Sequence, residues 1–177
     1  ATICSGSSFS VTPVNNPPTA IIPNGTTYSW VPTDNPNVTG EASGTGSSMT
    51  GTLNNLTNVN QVVNYTVTPT AGGCQGPPFN LAVTVVPAIV IPNQTATICS
   101  GGTFSVTPVN APPTTIVPAG TVYTWTPVDN PNVTGEATGT GTSIAGTLST
   151  TLTTPTQSVL YNVSATANAT CPSTPFT

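Results

Sequence analysis

The side chains able to hold a metal, move a proton or form a cross-link are few. They are the carboxylates Asp34, Glu41, Asp129 and Glu136 and the thiols Cys4, Cys74, Cys99 and Cys171. The carboxylates lie in two matched segments, DNPNVTGE at 34–41 and again at 129–136. Asp34, Asn35, Asn37 and Glu41 in the first, and Asp129, Asn130, Asn132 and Glu136 in the second, offer oxygen atoms of the kind calcium takes. The spacing fits no EF-hand, and two carboxylates per loop is a thin ligand set. The same residues build a turn, in which Asp and Asn side chains accept from backbone N–H groups and Pro fixes φ. The turn is the first reading, and calcium held by Asp34, Asn37, Glu41, Asp129, Asn132 and Glu136 is the alternative.

Catalysis has little to work with. Glycoside hydrolysis needs two carboxyl groups flanking a sugar, but each pair here sits on one short loop with no His, Arg or aromatic cleft around it. Hydroxyl groups abound, with 38 Thr and 15 Ser, yet no His or Lys is present to activate one. The expectation is a non-enzyme without metal or cofactor. Thr-rich β surfaces can bind ice when the Thr form a lattice, but here they scatter over strands and loops, TGTGTS at 138–143 reading as loop.

The elements that carry these groups repeat. TICS at 2–5 returns at 97–100, FSVTPVN at 9–15 returns at 104–110, and Trp30 returns as Trp125, all at an offset of 95 residues. Cys74 matches Cys171 and Phe79 matches Phe176 at an offset of 97, so two residues are inserted between. A period this long is a whole small domain rather than a solenoid turn. Within each copy the pattern is β. Val63, Tyr65 and Val67 alternate with Asn64, Thr66 and Thr68, and Leu81, Val83 and Val85 alternate with Ala82 and Thr84. Alternation of Val, Thr and aromatics marks half-buried strands, and Pro17-Pro18, Asn24-Gly25 and Gly72-Gly73 punctuate them. The fold class is all-β, with two tandem antiparallel β-sandwiches of immunoglobulin-like size, over 1–90 and 91–177, joined through PAIVIPNQ at 87–94. Trp30 and Trp125 are expected as core anchors, each with a Tyr two positions before it. A sugar-stacking role is the alternative.

The cysteines divide as two per copy. The even, matched count predicts intradomain disulfides Cys4–Cys74 and Cys99–Cys171. Each would close a loop of about 70 residues and stabilise by roughly 4 kcal/mol. Disulfides place the chain in an oxidising compartment, extracellular or at a cell surface.

The chain has no Lys, Arg or His, a net charge of -4 and only 2% charged residues, against about 25% in ordinary domains. Binding nucleic-acid phosphates or an anionic membrane surface needs cations and is excluded. A signal peptide would carry a basic n-region, so any secretion signal is expected to have been removed. The apolar run from Leu81 to Ile91 is too short to span a bilayer. A surface without lysines also lacks the usual guard against strand-to-strand association at sheet edges, and its low charge repels copies weakly. Both features favour a chain that packs against itself.

The order ICSG-x-x-FSVTP, IPNGTTYSW, NVTG-EASGTG, V-x-YTVTP and GGCQGPPFNLAVTV resembles the PKD-like and Ig-like repeats of large secreted surface proteins of the Bacteroidota. The resemblance covers nearly the whole chain in both copies. It implies tandem β-sandwich modules in long extracellular, adhesin-type proteins, often exported by the type IX route. In the second copy Thr177 aligns with Asn80, so the strand matching LAVTVV is expected to be missing there. A neighbouring molecule or further chain could supply it by strand addition, and the 81–98 segment is expected to link or complement domains. The function expected is that of a structural, non-enzymatic subunit or repeat segment of a cell-surface filament or adhesin stalk, with itself as partner. The alternative is a module recognising glycan or a host or matrix protein through loops at one sandwich end. Sequons stand at Asn24, Asn37, Asn55, Asn64, Asn93, Asn132, Asn162 and Asn168, though O-glycans on the Thr and Ser surface are the expected modification.

Overall fold

The computed structural model describes residues 1–167, 171 and 173–177. The Asn168 sequon lies outside the described residues. The described residues form strands and loops without a helix, in two compact units, Ala1–Pro87 and Ala88–Thr177.

The first unit contains β1 (Thr2–Cys4), β2 (Ser8–Val11), β3 (Thr27–Thr33), β4 (Val38–Thr39), β5 (Gly44–Gly46), β6 (Met49–Thr52), β7 (Asn54–Asn55), β8 (Gln61–Ala71), β9 (Cys74–Gln75) and β10 (Phe79–Val86). The large sheet runs β1-β10-β8-β3-β5, with β9 folded onto the end of β8. Its pairs are antiparallel except β1 on β10, which is parallel. The ladders β2–β6 and β4–β7 are separate. Between these layers lies one core. Tyr28, Trp30, Val63, Tyr65, Val67, Leu81, Val83 and Val85 come from the large sheet, and Phe9, Val38, Met49 and Leu53 from the other side. The alternating residues named from the sequence therefore turn one face inward, as a pleat of period two requires.

The second unit repeats the plan with β11 (Gly102–Val106), β12 (Val122–Val128), β13 (Gly139–Gly141), β14 (Ile144–Leu148) and β15 (Leu160–Thr166). Its sheets are β13-β12-β15 and β11-β14. Tyr123, Trp125, Ile144, Val163, Ala165 and Phe176 form its core together with Ile89 and Ile91. The linker thus contributes apolar side chains to the second unit. Among the described residues no strand matches β10, and only an isolated bridge joins Phe176 to Val163.

One steric relation recurs in both units. Trp30 on β3 stands opposite Gly44 on β5, and Trp125 on β12 stands opposite Gly139 on β13. A Cβ at either glycine would overlap the six-membered ring of the facing indole. The ring therefore lies flat over the neighbouring strand and stays buried, at 6% exposure for Trp30 and 7% for Trp125. The 138–143 stretch, expected as loop, runs instead as strand β13 followed by a turn into β14. Gly139 is a strand position kept bare for an aromatic ring.

Gly44→Ala and Gly139→Ala are each expected to destabilise by about 1–3 kcal/mol, the usual cost of overpacking. Urea unfolding followed by tryptophan fluorescence reads this directly. An unchanged midpoint in both variants would contradict the steric account.

Candidate functional site

The most polar part of each unit is the loop after the Trp strand. In the first, the Asn35 backbone N–H donates to Glu41 Oε2 at 3.2 Å, and the Asn37 N–H donates to Asn35 Oδ1 at 3.0 Å. The Asn35 amide nitrogen donates to Val62 O at 3.1 Å and Gln61 Oε1 at 3.3 Å, fastening the loop to β8. The second unit copies this. The Asn130 N–H reaches both Glu136 oxygens at 3.1 and 3.2 Å, the Asn132 N–H reaches Asn130 Oδ1 at 3.0 Å, and the Asn130 amide donates to Ser158 O at 3.0 Å. Asn35 and Asn130 thus each form an Asx-type turn, and Glu41 and Glu136 accept from the loop's own backbone. Asp34 and Asp129 stay toward the outside of their loops. Among the described residues no three of His, Cys, Asp or Glu converge on a point where a metal could sit.

The two glutamates lean toward tyrosines of the sheet. Burial raises the phenol pKa of Tyr65, and the negative Glu41 raises it further. Tyr161 is raised by burial and then by Glu136, and Tyr123 by burial. Each phenol thus holds its proton more tightly folded than unfolded, so the stabilisation is full below the ordinary tyrosine value near 10. It is lost as pH rises through the raised folded values.

The cysteines do not pair as expected. Cys4 and Cys171 are disulfide-bonded, and Cys74 and Cys99 are exposed free thiols, so neither Cys4–Cys74 nor Cys99–Cys171 exists. The reason is distance. Cys4 aligns with Val86 at one end of β10, and Cys74 closes a hairpin on Ala71, beyond Phe79 at the other end. At about 3.3 Å per residue, β10 alone separates those ends by roughly 20 Å, where a disulfide needs Cα atoms within about 7 Å. In the second unit Cys99 lies beside Gln157 and Val159, before β15 begins. Cys171 lies past the other end of β15, five residues ahead of the Phe176 that bridges Val163.

One residue that sequence reading treated only as a sequon is structural. Asn55 is 2% exposed. Its amide donates to Val59 O at 2.7 Å and Val85 O at 2.9 Å, and its Oδ1 accepts from the Thr57 N–H at 2.8 Å. This places β10 against the loop after β7 and leaves the side chain no room for a glycan.

The repeated strand plan agrees with the comparison to known families. The PKD-like domain family matches residues 1–89 and again residues 96–177. The chain belongs to the PKD-like domain family. No curated protein matches it. Membership in the PKD-like family together with a disulfide is consistent with an extracellular structural or binding module. No helix of the described residues is long and apolar enough to cross a membrane. The aromatic groups of these PKD-like units are mostly inside: Tyr28, Tyr65 and Tyr123 are buried, as are both Trp residues.

Maleimide labelling of the native, unreduced protein is expected to add two groups, at Cys74 and Cys99, and none to a C74S/C99S variant. Adducts at Cys4 or Cys171 would contradict their disulfide-bonded state. Stability measured by denaturant midpoint is expected to change little between pH 6 and 9 and to fall above about pH 10 as the buried phenols ionise. A midpoint that holds at pH 11 would contradict the assigned tyrosine environments.

Proposed function

We propose that this chain is a structural, non-enzymatic extracellular protein, built of tandem Ig-like and PKD-like β-sandwich modules. It acts as a subunit or repeat segment of a cell-surface filament or adhesin stalk of the Bacteroidota type, and copies or neighbouring repeats associate through strand and domain contacts. One observation carries the reading: two units of one module family follow each other on a surface with no cation and four carboxylates. Such a surface repels copies of itself only weakly and lacks the lysines that block pairing at sheet edges. It also has no cationic group for binding or turning over an anionic substrate. The reading needs no cofactor, and Glu41 and Glu136 are engaged as backbone acceptors in their own loops.

Recognition of a glycan or a host or matrix protein through loops at one end would call for aromatic or charged groups at the loop tips. The buried Tyr28, Tyr65 and Tyr123 do not favour it.

Immunogold electron microscopy of the producing cells, with antibodies against this chain, tests the proposal. Label on fibres with a repeat of one or two domain lengths identifies a filament subunit, and label along irregular surface strings identifies a stalk. Label confined to the cell interior would overturn the reading.

A further inference from the structure

The two units differ at one surface in what covers it. In the second unit, residues 88–94 lie extended along it. Val90 and Ile116 exchange two backbone hydrogen bonds, of 3.0 and 2.8 Å, and the Gln94 N–H donates to Thr177 O at 2.8 Å. Ile89 and Ile91 are buried in a cluster with Tyr123 and Phe176. The first unit has the same surface in the same geometry. Ile21 matches Ile116, Tyr28 matches Tyr123, and Phe79 matches Phe176. The ring pair Tyr28–Phe79 meets edge-on at 6.3 Å, and so does Tyr123–Phe176. Here, however, the surface is open. Ile21 is 74% exposed where Ile116 is 4%, and Phe79 is 38% exposed where Phe176 is 5%. The opening is a groove of about 710 Å³ lined by Ile21, Ile22, Pro23, Tyr28, Pro69 and Phe79 among others, with no charged group on its walls.

We propose that this groove of the first unit is a docking site for an extended apolar segment of the 88–94 pattern, carried by another repeat of the same family. The occupant is argued from the second unit, where that segment fills the matched groove. Its backbone pairs at Ile21 as Val90 pairs at Ile116, and its two isoleucines pack against Phe79, the exposed member of the ring pair. This is strand addition, in which main-chain hydrogen bonds give affinity and alternate side chains give specificity. The inference deepens the assembly reading above and rests on it for the source of the segment.

The test is titration of the whole chain with an acetylated, amidated peptide of residues 87–95, PAIVIPNQT, followed by amide chemical shifts. Saturable one-to-one binding is expected, with shifts at Ile21, Tyr28 and Phe79. Ile21→Asp, at an exposed position where the fold is indifferent, is expected to weaken binding at least tenfold. A peptide with both isoleucines replaced by Asp is expected not to bind. No shift at millimolar peptide, binding unchanged by I21D, or shifts confined to residues 88–177 would each overturn the proposal. Sedimentation of the same samples separates it from the assembly reading. A chain that binds the peptide but stays monomeric upholds the groove and counts against assembly. A chain that associates but ignores the peptide overturns the groove alone.

Discussion

The absence of any cationic side chain is the constraint on which the rest of this structure depends. With no Lys, Arg or His, ion pairs between side chains cannot form. Cohesion must come from apolar burial, backbone ladders and hydrogen bonds of neutral groups. Glu41 Oε2 and both Glu136 carboxylate oxygens follow this rule, accepting from backbone N–H groups. So does the fit of indole on glycine at Trp30 and Gly44, where contact area takes the place of charge. An apolar face left uncovered in such a protein has no charged rim to keep other chains away.

That constraint joins architecture to function. Each unit has a core closed on two sides by strands, and in the second unit the segment containing Ile89 and Ile91 closes a further side. The same residues read as a linker between modules, so one stretch of chain both connects and seals. Cys74 and Cys99 carry exposed thiols, Cys74 at the hairpin that closes on Ala71.

Much of this was legible in the sequence. The alternation at Val63, Tyr65 and Val67 and at Leu81, Val83 and Val85 became the inward faces of β8 and β10, because period-two patterning reports burial directly. The repeat was plain from TICS and DNPNVTGEA, and the Asn-rich loop reads as a turn because the Asn35 side chain can satisfy the Asn37 backbone N–H locally. Other features were hidden. Glycines such as Gly44 and Gly139 suggest loops by type, and only the pairing register reveals a ring across the strand. Cysteine counting could not tell which end of a strand each thiol occupies, so Cys4 was matched with Cys74 across the length of a sheet. Ile89 and Ile91 read as junction, and their burial depends on the distant Tyr123 and Phe176. Asn55 was masked by its sequon, since its partners Val59 and Val85 come from separate parts of the chain.

Native-state hydrogen exchange at the Val90 and Ile116 amides tests the central claim most directly, that residues 88–94 bridge to Ile116 and seal the core of the second unit. The account predicts that both exchange as slowly as the core amides of β12 and β15, since their hydrogen bonds to each other open only with the unit. Exchange at the rate of an unstructured peptide would show a free linker and contradict it.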